Sequence, residues 1–420
     1  MDRPDGKAWP EGRMTGGTSP SYPNHLMSRC LLILNAGSSS LKFALFRADA
    51  ALERLATGTV SRIGAQAEMI MTGPPFPVAR RRSVEARDHR QCLDLVLHEI
   101  GPLVGRKGLV AVGHRIVHGG SFDTPRRVDI ALLKELRRLS WLDPEHLPRE
   151  ISLIVALQAR FPELVQVACF DTTFHHHLPR VASLLPIPRR FEKEGVRRYG
   201  FHGLSYEFLL QELARQGDPA ATQGRVILAH LGSGASLAAV RDGRCIDTSM
   251  GFTPAAGLPM STRSGDLDPG LFSYLALAEG MTPAKFQKMI NEESGLLGVS
   301  ETSSDIRELL AKEASDPRAA EAVALFCYQA KKWIGAYAAA LGGLDTLVFS
   351  GGIGANNPVV RSRICAGLRF LGLDLNEILN AENVPVISAD GSGVFVRVIP
   401  TDEESVIARS TFALLPSTSG

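Results

Sequence analysis

An aspartate followed closely by three consecutive histidines is the most conspicuous group of residues with possible chemistry in the sequence. The stretch reads CFDTTFHHHLP and spans residues 169–179. Both residue types ligate metals, so Asp171 and residues 175–177 suggest a metal site. Consecutive histidines point in different directions, however, and the chain offers no complementary ligand cluster. Asp171 also follows an apolar strand candidate, and a carboxylate at the carboxyl end of a strand is a common catalytic position in open α/β sheets.

Three turns rich in glycine and serine are candidates for binding phosphate, because backbone N–H groups and hydroxyls in such turns can converge on phosphate oxygens. The first, GSSS at 37–40, has Lys42 two positions further on, and the second, GSGAS at 232–236, has no lysine. The third, SGGIGAN at 350–356, leads into a helix expected to begin near Pro358. None matches a Walker or dinucleotide-binding pattern, and a single turn of this kind is more often a plain hairpin. Three of them favour a bound nucleotide.

The elements that must position these residues alternate between strands and helices, which indicates an α/β fold with central sheets. Apolar residues recur every three or four positions in 132–139, 206–213 and 319–341, and this spacing predicts helices. Strands are predicted from apolar runs at 31–34, 109–112, 165–170, 226–230, 346–349 and 394–399.

Two segments about 195 positions apart look alike. The first is ILNAGSSSLKFALF at 33–46, and the second is LAHLGSGASLAAVRDG at 228–243. Each consists of an apolar strand, a Gly/Ser turn and a second strand, and the later one closes at a favoured hairpin turn, Asp-Gly. Because a chain of 420 residues also exceeds the usual size of one hydrophobic core, we expect a duplicated fold with two domains.

Composition argues against several classes of function. With 45% hydrophobic and 21% charged residues and a net charge of +2, we expect an ordinary globular protein that binds neither nucleic acid nor membrane. No apolar run is long enough to span a bilayer. Residues 1–28 are rich in Pro, Gly, Ser and charge, which predicts a disordered extension or a start assigned upstream of Met27. Six widely spaced cysteines indicate reduced thiols in a cytoplasmic protein: Cys30, Cys92, Cys169, Cys245, Cys327 and Cys365.

Several blocks of the sequence resemble the signature blocks of acetate kinases. They occur in family order and span about residues 31–410, nearly the whole chain. The blocks are NAGSSSLKF (35–43), GHRIVHGG (113–120), FDTTFH (170–175), RRYGFHGLS (197–205), HLGSGAS (230–236), DTSMGFTP (247–254), TRSGDLDPG (262–270), SGLLGVS with SSDIR (294–300 and 303–307), GGIGAN (351–356) and TDEES (401–405).

The resemblance implies two duplicated ribonuclease-H-like domains of the actin-like ATPase architecture, with the nucleotide in a cleft between them. After the extension at 1–28, we expect one domain from 29–175 with 404–420, and a nucleotide-binding domain at 176–403. The implied reaction is reversible phosphoryl transfer from ATP to acetate, giving ADP and acetyl phosphate, with Mg²⁺ and in a homodimer.

Three alternatives remain open. The first is a propionate or butyrate kinase. The second is an actin- or chaperone-like ATPase without an acyl substrate, against which the family's arginine pair and acyl pocket argue. The third is a metal-binding protein built on residues 175–177.

The resemblance also assigns roles to individual residues. Because the reaction presses two anions together, cations and oriented donors are needed around the transferred group. The catalytic residues are Arg115, Asp171, His202 and Arg263. The acyl substrate is expected to contact Arg115, Val117, Leu142, Phe201 and Pro254. The nucleotide and its phosphates are expected to contact Ser38, Ser40, Lys42, His230, Gly232, Ser233, Gly234, Asp305, Ile306, Arg307, Gly352, Ile353, Gly354 and Asn356. The metal is assigned to Asn35 and Glu403.

Each role has a simpler structural alternative. An arginine can form a surface ion pair, and His202 can be a satisfied core histidine. Glu403 can stabilise a helix start, since Thr401 and Glu404 form a capping-box pattern and acids are favoured in the first turn of a helix.

Four positions depart from the family pattern. In the block that usually reads APLHNP, at 140–145, Asp143 replaces a histidine. Ser233 replaces an asparagine, Tyr206 a histidine and Ala355 a glutamate. The catalytic set is intact, so we expect an active enzyme. Its preferred acyl chain length is not fixed by these residues, because discrimination of one methylene involves only about 1–3 kcal/mol.

Overall fold

A computed structural model of the chain describes residues 29–74 and 76–416. These residues form two compact units. Unit 1 consists of the residues up to Thr173 together with those from Glu403 onward, and unit 2 consists of Phe174–Asp402. The extension expected at 1–28 lies outside the described residues.

Strands occur in both units. Unit 1 contains β1 (Cys30–Ala36), β2 (Ser40–Arg47), β3 (Arg54–Ser61), β4 (Glu68–Gly73), β5 (Phe76–Ser83), β6 (Leu109–Ile116), β7 (Arg126–Arg127) and β8 (Val165–Phe170). Unit 2 contains β9 (Arg225–Leu231), β10 (Ala235–Arg241), β11 (Arg244–Thr248), β12 (Thr346–Ser350) and β13 (Phe395–Val398).

Helices connect these strands, and short 3-10 helices occur at Thr173–His175 and Arg369–Leu371. The α-helices are α1 (His89–Gly108), α2 (Ile130–Leu139), α3 (Leu147–Arg160), α4 (Arg180–Ser183), α5 (Arg190–Lys193), α6 (Gly203–Arg215), α7 (Ala220–Gln223), α8 (Gly270–Glu279), α9 (Pro283–Glu292), α10 (Gly295–Ser300), α11 (Ile306–Lys312), α12 (Pro317–Leu341), α13 (Gly351–Asn356), α14 (Pro358–Cys365), α15 (Glu377–Ala381) and α16 (Glu403–Ala413). None of the described helices is long and apolar enough to cross a membrane.

The sheets of the two units share one topology. Unit 1 has the order β5-β4-β3-β2-β1-β6-β8-β7, and unit 2 has the order β11-β10-β9-β12-β13. In each, the first strand pairs antiparallel with the second, the second pairs antiparallel with the third, and two parallel strands follow on the other side of the first. Helical segments provide the crossovers between the parallel strands, as parallel pairing requires. The duplicated α/β fold predicted from the sequence repeat is therefore confirmed.

The apolar patterns explain why these elements form. Strand β1 is buried along its whole length, as expected for a central strand with helices on both faces. Helix α12 buries a face with three- and four-residue spacing and ends at Gly342, whose left-handed backbone (φ 71°) lets its N–H bond the carbonyls of Ala338 and Ala339. The six cysteines are buried and form no disulfides.

One predicted turn is wrong. Residues 351–356 form helix α13 rather than a turn. Ser350 is still extended, and Gly351 takes a left-handed conformation (φ 74°) that turns the chain directly into the helix. Only glycine fits there, since a Cβ would lie 2.5 Å from the Leu231 carbonyl oxygen. The helix predicted to follow does begin at Pro358.

Candidate active site

In unit 1, Arg115 and Asp171 lie at the carboxyl ends of the adjacent parallel strands β6 and β8. The register places Arg115 opposite Cys169, so Asp171 follows just beyond the last pair. The guanidinium donates two hydrogen bonds to the carboxylate, Nε to Oδ1 at 3.1 Å and Nη2 to Oδ2 at 2.6 Å. Asp171 is fully buried. A bidentate, charge-assisted pair of this kind fixes the orientation of both side chains.

Asn35 and Glu403, the residues expected to serve a metal, adjoin this pair. Asn35 lies on β1, and its Nδ2 donates to Glu403 Oε2 at 2.8 Å, while its Oδ1 accepts a hydrogen bond from Arg115 at 3.3 Å. Glu403 Oε2 is 3.8 Å from Arg115 Nε. Burial lowers the pKa of Arg115, but Asp171 and Glu403 oppose that effect and raise it above its ordinary value. Four sequence-predicted residues are thus brought together.

The capping box given as an alternative role for this segment does not form at the start of α16. The Thr401 hydroxyl is buried and has no hydrogen-bond partner. Glu404 instead lies beside Asn35, whose Nδ2 is 3.3 Å from Glu404 Oε1. The two acids in the first turn both accept hydrogen bonds from the Asn35 side chain.

Glu150 is a residue near this group that sequence reasoning missed. Its carboxylate, 2% exposed, accepts the backbone N–H of Val117 at 3.2 and 3.3 Å, and Val117 is an expected acyl-pocket residue two positions after Arg115. Burial, followed by the charge of Asp143, raises the pKa of Glu150 well above its ordinary value. The sequence did hold a signal, because Glu150 falls among the apolar positions of α3, beside Leu147 and Ile154 at three- and four-residue spacing.

Asp143, the residue that replaces a family histidine, is also buried. Its Oδ1 is 2.8 Å from His146 Nδ1. Leu142, the neighbouring acyl-pocket candidate, is buried in unit 1, as is Val117. The departure therefore places an Asp–His pair next to the expected acyl pocket.

The first Gly/Ser turn joins β1 to β2 as predicted. The Gly37 N–H bonds the Ser40 carbonyl at 2.8 Å. Ser38 and Lys42 are exposed and Ser40 is half-buried, so the turn presents hydroxyls and one ammonium group. These groups have the chemistry expected of a phosphate-binding turn.

Two residues that the sequence did not reveal hydrogen-bond to the backbone of this turn. His89 Nε2 donates to the Gly37 carbonyl at 2.8 Å, and Arg149 donates to the Ser38 carbonyl at 3.0 Å. Burial lowers the pKa of His89. Because α1 contributes His89 and α3 contributes Arg149, two helices of unit 1 fix the position of the turn.

In unit 2, His202 is held by a chain of hydrogen bonds. It caps α6 in a left-handed conformation (φ 59°), which is uncommon for a residue other than glycine. Its Nδ1 is 2.9 Å from Ser236 Oγ, and Ser236 Oγ is 2.5 Å from the Tyr206 hydroxyl. The imidazole stacks on the His230 ring, with the ring centroids 4.3 Å apart. His230 Nδ1 is hydrogen-bonded to the Ser205 hydroxyl at 2.8 Å.

Gly234, in the second Gly/Ser turn, lies against two of the predicted catalytic residues. A Cβ at Gly234 would be 3.1 Å from His202 Nε2 and 3.7 Å from Arg263 Nη1. Arg263 Nη1 donates to the Pro254 carbonyl at 3.2 Å. The predicted residues His202, Arg263, Gly234 and Pro254 therefore form one group in unit 2. Phe201 is buried next to His202.

A pocket of ≈ 500 Å³ in unit 2 gathers most residues predicted to bind the nucleotide. The predicted residues in its lining are Gly232, Ser233, Asp305, Ile306, Arg307, Gly352, Ile353 and Asn356. Its lining also contains residues that the sequence did not single out, namely Ser261, Ser304 and Asn357.

Two glycines of α13 differ in their surroundings. A Cβ on Gly352 would meet open space, so the backbone there is accessible. Gly354 was predicted to contact the nucleotide, but it is outside the pocket lining. A Cβ on Gly354 would lie 3.5 Å from the Leu231 side chain. Ala355, which replaces a family glutamate, is buried.

The three histidines do not form a metal site. His175 is buried, its Nε2 donates to the Phe201 carbonyl at 3.0 Å, and its Nδ1 is 3.2 Å from Cys245 Sγ. Burial lowers the pKa of His175 to about 4, so the ring is neutral at physiological pH. Across residues 29–74 and 76–416, no group of three or more His, Cys, Asp or Glu is arranged to hold a metal ion.

Comparison with known proteins identifies the family. A model described as the acetokinase family matches residues 30–409. The chain belongs to the acetokinase family. An acetate kinase of Methylocella silvestris is 43% identical over 402 residues, which are 93% of this chain and 98% of that protein.

Solved structures of acetokinase-family proteins agree with this assignment. The acetate kinase of Porphyromonas gingivalis is 36% identical, with a TM-score of 0.82 over 93% of this chain and 100% of that one. A propionate kinase of Francisella tularensis is 34% identical, with a TM-score of 0.84 over 91% of this chain and 98% of that one. The resemblance to acetate kinases and the actin-like ATPase fold class predicted from the sequence are both confirmed.

Proposed function

We propose that this acetokinase-family protein phosphorylates acetate with ATP, giving acetyl phosphate and ADP, and catalyses the reverse reaction. The observation that carries the proposal is the bidentate Arg115–Asp171 pair with Asn35 and Glu403 beside it. Family membership sets the reaction class, and this geometry supplies residues that suit it.

The unit 1 residues bind and orient the acid in this proposal. A carboxylate nucleophile is already ionised at neutral pH, so no general base is required. Asp171 holds Arg115 rather than removing a proton, and Arg115 offers a cation to the substrate anion. The two carboxylates of Asp171 and Glu403 lie close to the single guanidinium of Arg115. An additional positive charge is therefore needed when the acid and the nucleotide phosphates bind as well.

A divalent cation, which we propose to be Mg²⁺, supplies that charge by neutralising phosphate oxygens. Glu403 and Asn35 offer the oxygen ligands that Mg²⁺ prefers. Mg²⁺ usually takes one or two protein carboxylates, with phosphates and water completing its octahedron. The residues therefore fit a metal that arrives largely with the nucleotide.

The unit 2 residues act on the nucleotide in this proposal. The backbone of the 232–234 turn and the accessible backbone at Gly352 approach phosphate groups, and the 305–307 segment contacts the adenosine. His202 and Arg263 supply donors to the transferred phosphoryl group, where charge stabilisation is the main source of rate enhancement.

An assay of acyl phosphate tests the proposal. Purified protein is incubated with MgATP and acetate, propionate or butyrate, and acyl phosphate is trapped as the hydroxamate. We expect product with acetate. The runner-up function, propionate kinase, is favoured by the likeness to the Francisella tularensis enzyme and would show as a higher kcat/KM for propionate. Absence of product with every short acid, despite ATP binding, would overturn the kinase assignment and favour an ATPase without acyl substrate.

We also propose that the protein is a homodimer. Helix α8 is rich in apolar residues, yet none of its residues is buried, and Leu277 and Tyr274 are 89% and 65% exposed. Exposed apolar helix faces of this kind mark association surfaces. Light scattering should give twice the 45.3 kDa chain mass, and Leu277→Asp should give the single chain mass. A wild-type mass of one chain would contradict the proposal.

A further inference from the structure

Tyr206 is connected to the proposed catalytic histidine through one intervening hydroxyl. The Tyr206 hydroxyl is 2.5 Å from Ser236 Oγ, and Ser236 Oγ is 2.9 Å from His202 Nδ1. Tyr206 and Ser236 are both fully buried. Tyr206 replaces a histidine of the family pattern and is not among the residues expected to contact the acyl substrate, the nucleotide or the metal.

The chemistry of the three groups sets the direction of this chain. Either hydroxyl can donate in the Tyr206–Ser236 bond, but a phenol is a stronger proton donor than an aliphatic hydroxyl, which favours donation from Tyr206 to Ser236 Oγ. The serine hydroxyl has one proton, which it then donates to His202 Nδ1. A neutral imidazole that accepts at Nδ1 carries its proton at Nε2.

In the proposed function, Nε2 is the His202 atom that donates to the transferred phosphoryl group. It lies beside the Gly/Ser turn at Gly234, where a Cβ would be 3.1 Å away, and Arg263 Nη1 is close to the same position. A donor is needed at this point, because the transferred phosphoryl group carries only acceptor oxygens. The opposite tautomer would present a lone pair to those oxygens and would repel them.

We propose that Tyr206 is a positioning residue that, through Ser236, fixes His202 as the tautomer with its proton on Nε2. The expected effect on turnover rests on the proposed function, whereas the tautomer of His202 does not depend on it. The acidity of the tyrosine hydroxyl favours one direction of the chain. A neutral histidine at position 206 would accept from Ser236 or donate to it according to its own tautomer, whereas the phenol of Tyr206 favours donation.

The tautomer can be measured without any substrate. Two-bond ¹H–¹⁵N correlation spectra of protein labelled at histidine distinguish protonated from unprotonated ring nitrogens, and loss of a signal in His202→Asn assigns the residue. We expect wild-type His202 at pH 8 to be protonated at Nε2, and Tyr206→Phe to shift it wholly or partly to Nδ1. Wild-type protonation at Nδ1, or an unchanged tautomer in Tyr206→Phe, overturns the proposal.

Kinetics provide the second readout. Tyr206→Phe should lower kcat roughly 10- to 100-fold, less than loss of a whole transition-state donor, with KM for both substrates nearly unchanged. Tyr328→Phe, at an exposed position on α12, is the matched control and should match wild type. A shifted tautomer with unchanged kcat, or a lower kcat with unchanged tautomer, contradicts the proposal. If Tyr206→Phe does not fold, Ser236→Ala breaks the same chain and is held to the same outcomes.

A failure of the proposed function is distinguishable from a failure of this inference. If the wild-type protein makes no acyl phosphate, the kinase assignment fails, whereas the tautomer of His202 is still decided by the spectra.

Discussion

Arg115 and Asp171 share two hydrogen bonds across the ends of neighbouring parallel strands, with Asp171 fully buried beneath the guanidinium. The orientation and charge balance of each side chain therefore depend on the other. Removing Arg115 leaves a buried carboxylate without its cation, which costs several kcal/mol of stability. Removing only the charge of Asp171 leaves the shape of the site intact. Asp171 is therefore the better position at which to test function apart from folding.

We expect Asp171→Asn to lower kcat at least 100-fold with an unchanged far-UV spectrum. The amide is isosteric but neutral, and its NH₂ group cannot accept the second guanidinium hydrogen bond, so Arg115 loses its bidentate anchor. Hydroxamate trapping measures the effect. His177→Ala, six residues further on, is the control and should keep full activity. Equal loss in both variants would show that the segment matters for folding and not for chemistry.

Arg263→Ala tests the unit 2 group. Arg263 is partly exposed, and its Nη1 donates to the Pro254 carbonyl. Loss of one transition-state donor should lower kcat by about 10²- to 10³-fold. Arg318→Ala, which removes an exposed ion pair on α12, should leave kcat unchanged. Near-normal turnover of the Arg263 variant would remove this residue from the phosphoryl site.

The sequence was sufficient to predict the apolar strands β1, β6, β8, β9, β12 and β13, the duplication and the residues of the Arg115 group, but not β3, β4, β5, β7 or β11. Strand β1 and helix α12 follow directly from apolar spacing, and Asp171 from its place after a strand. It was not sufficient for contacts that join distant segments. Glu150 bonds a backbone N–H 33 positions away, and Ser236 bonds a histidine 34 positions away. Such pairs depend on strand register and helix packing, which local periodicity does not specify.

Gly234→Ala tests whether the second turn needs a bare backbone beside His202. The new Cβ would lie 3.1 Å from His202 Nε2, closer than ordinary van der Waals contact, and would occupy the space beside the donor atom. We expect kcat to fall while the melting temperature changes little. Gly335→Ala is the control, because a Cβ there meets nothing within 4 Å. The substitution also replaces a weak helix former in α12 by a strong one. A variant at Gly234 with wild-type kcat would contradict the close approach.

The stability of the protein should depend on pH through Glu150. Burial and Asp143 raise the pKa of Glu150, so the native state holds its proton more tightly than the unfolded chain does. The native state is therefore favoured by this group below its unfolded pKa, near 4.5, and the advantage is lost as pH rises through the native pKa.

Glu150→Gln keeps an acceptor for the Val117 N–H and removes the titration. Thermal unfolding should show the variant gaining stability relative to wild type as pH rises from 4 to 9. Glu135→Gln, where Arg138 lowers the pKa of the carboxyl, should show no such gain. A wild-type stability advantage that grows with pH would mean that Glu150 is ionised and stabilised in the native protein.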